Sequence, residues 1–151
     1  MVIEPVRQSV EVELPPSEAF DLFTTRISEW WPYKTHFSRG PVESLVFEGR
    51  LGGKLSEVCS DGAVVTYGEV VAWEPPHRVV IKWFVRPDLG PPTEVEVRFT
   101  PSVVGCRLDL EHRGFEGYGD EVGRRQRDSY SGGWSGVLRL FAEYASGAAR
   151  P

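Results

Sequence analysis

The chain has 151 residues, of which 40% are hydrophobic and 26% are charged, and this is the size and composition of one ordinary domain. Its 17 basic and 22 acidic residues give a formal net charge of -5, which argues against a nucleic acid as the main partner because phosphate binding needs a basic surface. We therefore predict a single domain over residues 1–151, with a core from about residue 7 to 146 and a frayed tail over residues 147–151.

The first predicted element is a strand over residues 7–14, in which apolar and polar side chains alternate. A period of two is typical of a strand with one buried face. Pro15 and Pro16 then end the strand, since proline cannot donate to a sheet ladder. The hydroxyl of Ser17 can cap a helix, so we predict that a helix begins there.

The second predicted element is an amphipathic helix that continues to the Trp30-Trp31-Pro32 segment. Its apolar residues recur at spacings of three and four, namely Phe20, Phe23, Ile27 and Trp30 or Trp31. Pro32 ends the helix, because the residue before a proline is pushed out of the helical region. A loop rich in polar residues follows over residues 33–41.

Six more strands follow this loop, and glycine, proline or aspartate turn signals separate them. They are predicted over residues 42–48, 54–59, 63–73, 78–85, 93–100 and 104–113. The short turns favour antiparallel pairing of neighbouring strands. Several strands have one apolar and one charged face, so we expect one face of the sheet to be covered and the other to meet water.

The element that covers the sheet is predicted to be the last one, a helix over residues 130–144. Its apolar stripe steps by three and four through Tyr130, Trp134, Val137 or Leu138, Phe141 and Tyr144. Four glycines lie in or near this helix: Gly123, Gly132, Gly133 and Gly136. They either permit a close approach of helix and sheet or leave space for a ligand. The order of elements predicts an α+β fold.

Several segments of this sequence are characteristic of a known family. They are residues 47–53 (FEGRLGG), 68–70 (GEV), 73–83 (WEPPHRVVIKW) and 110–115 (LEHRGF), and the Gly133-Trp134 pair with Leu138, Phe141 and Tyr144. In these segments the chain resembles the homologues of the activator of heat-shock-protein-90 ATPase. The resemblance runs from about residue 10 to 144, which is nearly the whole chain.

The resemblance implies a helix-grip fold, of the START-like or SRPBCC type, in which a curved antiparallel sheet wraps around a long C-terminal helix. The wider superfamily includes polyketide cyclases, lipid-transfer domains and plant pathogenesis-related allergens, and it mostly holds apolar or aromatic molecules between sheet and helix. In the eukaryotic co-chaperone that names the family, a separate N-terminal domain does much of the activating. Its co-chaperone activity is therefore not carried over to this chain.

The predicted ligand site is the apolar interior between the sheet and the last helix. Large residues expected to line it are Trp30, Trp31, Trp83, Phe99, Trp134, Leu138 and Phe141, with Tyr67 and His112 as polar ligand contacts. So many large groups around a curved sheet are hard to interdigitate without a void, and voids are where small-molecule sites lie.

Two residues are candidates for acid or base chemistry in that interior. His112 continues the inward face of the last strand, where it either reaches the rim of the pocket or is a core histidine satisfied by a backbone carbonyl. Glu57 shares a face with Leu55 and Cys59, and it is either a buried functional carboxyl group, a paired one, or on a strand that faces the other way.

Other classes of site find no support in the sequence. Cys59 and Cys106 lie far apart and without metal-ligand spacing, so neither a disulfide nor a metal site is expected. No phosphate-binding loop or nucleophile elbow is present, and we expect no cofactor. No apolar run resembles a signal peptide or a membrane span, so a cytoplasmic location is expected.

Three functions remain open at this stage. The leading one is a module that binds a small apolar molecule, either lipid-like or aromatic. The second is an enzyme of the cyclase or dehydratase kind, with His112 or Glu57 as acid or base. The third is a protein-interaction module, either homodimeric or with a chaperone-type partner, that docks through an exposed loop at Trp30-Trp31-Pro32 or through an edge strand.

Overall fold

The structure, a computed structural model, describes residues 2–32 and 42–148. Within these ranges the elements are β1 (Val6–Val12), α1 (Pro16–Phe23), a 3₁₀ turn (Ile27–Glu29), β2 (Val42–Phe47), β3 (Lys54–Cys59), β4 (Val64–Glu74), β5 (Arg78–Trp83), β6 (Thr93–Pro101), β7 (Cys106–Arg113), a second 3₁₀ turn (Phe115–Tyr118) and α2 (Asp120–Ala148). The loop predicted over residues 33–41 and the tail beyond residue 148 lie outside the described residues.

The strands form one antiparallel sheet in the order β1-β7-β6-β5-β4-β3-β2. From β2 to β7 each strand pairs with its neighbour in the chain, as the short turns predict, and β1 closes the order against β7. The sheet curls around α2, which Gln8 of β1 fastens by donating from Nε2 to the Ser131 carbonyl at 2.6 Å. The predicted α+β, helix-grip arrangement is confirmed.

The two faces of the sheet have opposite chemistry. Inward side chains such as Val79, Val97 and Leu108 are fully buried against the helices. The outer face of β5, β6 and β7 carries ion pairs around Glu96, whose carboxylate oxygens meet Arg78 at 2.7 Å and Arg113 at 2.7 Å. Burial raises the pKa of Glu96 and its arginine partners lower it, with a net shift downward. The charged alternation in the sequence therefore marks the solvent side of the sheet, as predicted.

Helix α1 differs from its prediction at both ends. It begins at Pro16 with Pro15 as its N-cap, so the Ser17 cap was wrong; proline at the first helical position is already set to the helical φ. It ends at Phe23 instead of continuing to the tryptophans. The Thr24 N–H and hydroxyl both donate to the Phe20 carbonyl, at 3.0 and 2.7 Å, and the backbone leaves helical geometry at Thr24, with φ −99° and ψ −94°.

The final helix begins at Asp120, well before the predicted Tyr130. Its first turns have no broad apolar stripe and are instead stabilised by pairs such as Asp120 with Arg124 at 2.8 Å. Residues 147 and 148 are the last two residues of the helix that the structure describes.

The glycines of this helix have two different surroundings. A Cβ on Gly123 would lie 2.4 Å from the Phe115 carbonyl oxygen, so close approach explains this glycine. At Gly132, Gly133 and Gly136 a Cβ would meet nothing within 4 Å. Close approach of helix and sheet was therefore the wrong explanation for these three positions.

Candidate functional site

The nine side chains predicted to line a ligand site are all in the interior, with at most 6% of any of them exposed. They are Trp30, Trp31, Tyr67, Trp83, Phe99, His112, Trp134, Leu138 and Phe141. Eight of them, all except Leu138, form two clusters with their aromatic neighbours. We call Phe20, Phe23, Trp30, Phe99 and Phe141 the phenyl cluster, and Trp31, Tyr67, Trp83, His112, Tyr130 and Trp134 the polar aromatic cluster.

The phenyl cluster joins α1 to the end of α2. Phe23 and Phe141 meet edge to face with ring centroids 5.2 Å apart, and Trp30 lies 4.9 Å from Phe141. Such edge-to-face pairs add stability beyond the area they bury. The one polar atom among these rings, Trp30 Nε1, donates to the Leu22 carbonyl at 2.7 Å. This cluster is apolar and satisfied.

The polar aromatic cluster lies beside it on the concave face of β4, β5 and β7. Four of its rings form a closed circuit, with centroid distances of 6.0 Å for Trp31–Tyr67, 5.4 Å for Tyr67–Trp83, 5.7 Å for Trp83–Trp134 and 6.4 Å for Trp134–Trp31. Trp83 Nε1 donates to the Tyr130 hydroxyl oxygen at 3.0 Å. The cluster therefore combines large aromatic surfaces with several hydrogen-bonding groups.

His112 is fully buried in this cluster and does not reach a rim. Its Nδ1 accepts from Trp134 Nε1 at 3.0 Å, so its Nε2 carries the ring hydrogen and donates to Thr93 Oγ1 at 2.8 Å. Burial lowers the pKa of His112 to about 3, which keeps the ring neutral near pH 7. The partners are two side chains and not the backbone carbonyl that the core alternative named.

Glu57 shares the buried face of β3 with Leu55 and Cys59, as predicted. The carboxyl group is 0% exposed, and its Oε1 accepts from the Tyr67 hydroxyl. Burial raises the pKa of Tyr67, and the hydrogen bond to Glu57 raises it further, so Tyr67 keeps its proton. The result is a buried carboxyl and hydroxyl pair whose tyrosine ring lies against Trp31 and Trp83.

A β-bulge aims Tyr67 at this pair. Leu55 pairs with Gly68 and Ser56 pairs with Thr66, which leaves Tyr67 as an extra residue on β4. A bulge re-aims side chains and reverses the alternation beyond it. Tyr67 therefore points inward while Glu69 points outward to Lys54, although strict alternation would place both residues on one face.

Trp31 brings the only indole nitrogen of the described residues that is buried without a hydrogen-bond partner. The side chain is 5% exposed and lies against Tyr67, where the indole slightly opposes the rise in the pKa of Tyr67. Trp30 and Trp31 are both buried, so the exposed docking loop expected at these residues is wrong.

Three surface grooves of about 510, 500 and 360 Å³ are formed by described residues, and all lie outside the aromatic interior. The first runs over the charged outer face beside Arg98 and Arg107, and the other two flank Val2 and Ile3. None of the nine residues predicted to line a ligand site borders any of these three grooves. The interior ligand site stays a prediction.

The described residues include no group of three or more histidine, cysteine, aspartate or glutamate side chains that could hold a metal ion. Over the same ranges, no helix has the length and apolar character needed to cross a membrane. Cys59 and Cys106 are both free and buried, as expected. Burial raises the pKa of the Cys106 thiol to about 11.

Sequence reasoning missed two members of the site. Thr93 was placed at the start of a strand without a role, yet its hydroxyl is the acceptor for His112. Tyr130 was assigned to a helical stripe, but its pairing with Trp83 joins residues 47 positions apart. Only the inward parity of Trp83 and His112 could have indicated that polar partners were needed here.

Comparison with known proteins gives the chain a family match. The family model described as "Activator of Hsp90 ATPase homolog 1-like protein" matches residues 13–146. No protein of curated function matches significantly.

Solved structures resemble the chain over almost its whole length. An anthrahydroquino-γ-pyrone synthase, Txn09, is 30% identical, with 94% of this chain and 97% of that chain covered and a TM-score of 0.64. The AHSA1-like protein from Aeromonas hydrophila is 18% identical, with coverages of 95% and 93% and a TM-score of 0.64. Protein MLL2253 from Mesorhizobium loti is 20% identical, with coverages of 92% and 94% and a TM-score of 0.67. The last two likenesses concern the fold.

Proposed function

We propose that this chain, which belongs to the family of Activator of Hsp90 ATPase homolog 1-like proteins, binds a small aromatic molecule between its sheet and its C-terminal helix. The polar aromatic cluster forms the wall of the proposed site, and the Glu57–Tyr67 pair is its polar anchor. In this proposal the chain acts as a binding protein. The rings of Trp31, Trp83 and Trp134 supply the apolar surface that the ligand contacts.

The observation that carries this proposal is the buried Glu57–Tyr67 pair. A carboxyl group inside an apolar interior costs free energy unless it is hydrogen-bonded, and Tyr67, which the bulge aims inward, donates one such bond. A leucine at position 57 would serve packing alone. Buried polar pairs of this kind are concentrated at functional sites, which supports a role in holding a ligand.

The aromatic class of the ligand is supported by the walls and by one relative. Indole and phenol rings at centroid distances of 5.4–6.4 Å offer stacking and edge contacts that suit flat ring systems. The 30% identical Txn09 is named as the synthase of an anthrahydroquino-γ-pyrone. We therefore take a fused aromatic compound with oxygen substituents as the ligand class.

The proposal is tested by titrating the protein with 1,8-dihydroxyanthraquinone and following tryptophan fluorescence. We expect saturable binding of one molecule per chain. Glu57→Gln should weaken it by about tenfold, because the amide changes the hydrogen bonding of the anchor. Glu69→Gln on the outer face of β4 is the matched control and should stay within about twofold. No saturable binding by the folded wild type would refute the proposal.

A cyclase-like enzyme is the second candidate, and the same pair supports it. A carboxyl and a hydroxyl within hydrogen-bond reach form an acid and base arrangement, and the relative Txn09 is named as a synthase. In this case Glu57→Gln would leave the affinity for a polyketide-like substrate nearly intact and lower its turnover by about 10² to 10⁴. A variant that loses affinity and turnover together favours the anchor.

We assign His112 to the support of the site and not to its chemistry. Both ring nitrogens are used by Trp134 and Thr93, and the ring is neutral. The role of this histidine is to hold α2 at a fixed position against β7. The acid and base roles considered for His112 therefore pass to Glu57 in the enzyme alternative.

A further inference from the structure

Two adjacent tryptophans, equal in burial, differ in one hydrogen bond. Trp30 is 6% exposed and Trp31 is 5% exposed. The Nε1 hydrogen of Trp30 is accepted by the Leu22 carbonyl at 2.7 Å, whereas that of Trp31 meets no acceptor among the described residues. A buried donor without an acceptor costs free energy, so this one needs an explanation.

The surroundings of Trp31 restrict what could satisfy it. An indole nitrogen can only donate, so the missing partner is an acceptor. The nearby Tyr67 gives its hydroxyl hydrogen to Glu57, and the Trp31 indole interacts with the Tyr67 hydroxyl without completing a hydrogen bond of normal geometry. The Trp31 ring lies 6.0 Å from the Tyr67 ring. A neutral acceptor suits this position better than an anion, because burial of a charge among aromatic rings costs more free energy than burial of a carbonyl oxygen.

We propose that Trp31 Nε1 is the donor that binds a neutral carbonyl oxygen of the ligand, such as the oxygen of an aromatic ketone or quinone. This inference rests on the proposed function, because it names the group that the aromatic ligand presents to the polar aromatic cluster. The Glu57–Tyr67 pair lies next to that oxygen, and the rings of Trp83 and Trp134 contact the ring system that carries it.

The test compares two probes that share the same fused ring system. 9-Fluorenone has a carbonyl group at the position where fluorene has a methylene group. Wild-type protein should bind fluorenone about 3- to 10-fold more tightly, as one neutral hydrogen bond allows. Trp31→Phe should lower this preference to within about twofold. Trp30→Phe is the matched control and should keep it.

The outcomes separate the two proposals. If the wild type binds neither probe, the proposed function fails, and the carbonyl donor fails with it. If the wild type binds both probes and Trp31→Phe keeps the preference for fluorenone, only the carbonyl donor is overturned. Equal affinities of the wild type for both probes also overturn it, and a bound water would then be the acceptor.

A second measurement needs no variant, so it still applies if Trp31→Phe does not fold. The Trp31 indole N–H signal in a ¹H–¹⁵N spectrum should move downfield when fluorenone is added and stay closer to its place with fluorene. The Trp30 signal, whose hydrogen is already accepted by Leu22, should move little with either probe. Equal responses of the two indoles to fluorenone would contradict the proposal.

Discussion

The phenyl cluster and the polar aromatic cluster adjoin each other in one interior, joined through the neighbouring rings of Trp30 and Trp31 at 6.0 Å. The first contains one polar nitrogen, which is satisfied by the Leu22 carbonyl. The second contains a histidine, two tyrosines and three indoles, and its Tyr67 hydroxyl donates to the buried Glu57 carboxyl group. Equal burial therefore conceals different roles: the first cluster stabilises the fold, and the second also positions groups that can bind a ligand.

Among the variants that test this comparison, Trp134→Ala should have the largest effect on stability. Removal of the indole leaves a cavity and takes away the donor to His112, so the free energy of unfolding should fall by about 3–5 kcal/mol. Chemical denaturation measures the loss. Leu140→Ala, at a partly exposed position on the same helix, should change stability by about 0.5 kcal/mol or less. A loss below about 1 kcal/mol at Trp134 would mean that this indole is not a core residue.

The next effect concerns the bulge that aims Tyr67. A Cβ on Gly68 would lie 2.3 Å from the Lys82 carbonyl oxygen. Gly68→Ala should therefore destabilise the protein by an amount near the upper end of a range of about 1–3 kcal/mol. Gly132→Ala is the matched control, because its Cβ would meet nothing within 4 Å. It should stabilise α2 by up to about 1 kcal/mol. Thermal unfolding compares the two, and shifts of the same sign would contradict the model of the bulge.

The pH dependence of stability tests the environment of His112. The folded pKa is lowered to about 3 from an ordinary value near 6.5, so below pH 6.5 the unfolded chain binds a proton that the folded chain does not. Titration of His112 therefore leaves the free energy of unfolding unchanged above pH 6.5. Below that pH it lowers the free energy of unfolding, by about 2 kcal/mol at pH 5. Denaturation of wild type and His112→Gln over pH 5–8 measures this. An unchanged slope in the variant would show that His112 titrates normally.

The smallest effect compares the two adjacent indoles. Trp30→Phe leaves the buried Leu22 carbonyl without its donor, while Trp31→Phe removes a donor that has no acceptor in the described residues. Without ligand, Trp30→Phe should therefore cost about 1 kcal/mol more than Trp31→Phe. Urea denaturation of both variants gives the difference. A larger loss at Trp31 would show that its N–H has a partner inside the protein.

The strands were the part of the fold most accessible from sequence. Period-two alternation and turn residues predicted residues 54–59 with the bounds that β3 has, and they placed His112 and Glu57 on inward faces. The helix ends were less accessible, because α1 ends at Phe23 although the apolar spacing continues to the tryptophans, and α2 begins in a polar stretch without periodicity. Local patterns do not encode either event strongly.

The residues of the site were predictable individually but not in their pairing. Burial of Tyr67 follows from strand parity only when the extra residue of the bulge is known, and a bulge leaves little trace in one sequence. The bond between His112 and Trp134 joins a strand to a helix 22 residues later, so it depends on how the helix sits on the sheet. Periodicity assigns a face to each residue but does not assign its partner.

The central claim, that an aromatic ligand occupies the polar aromatic cluster, is tested most directly by the five tryptophan indole signals in a ¹H–¹⁵N spectrum during titration with 1,8-dihydroxyanthraquinone. Trp31, Trp83 and Trp134 belong to the proposed site, whereas Trp30 and Trp73 contact the rings of Phe23 and Phe20. We predict that the first three signals move and saturate together while the other two stay nearly in place. Movement confined to Trp30 and Trp73, or no movement at saturating probe, would contradict the claim.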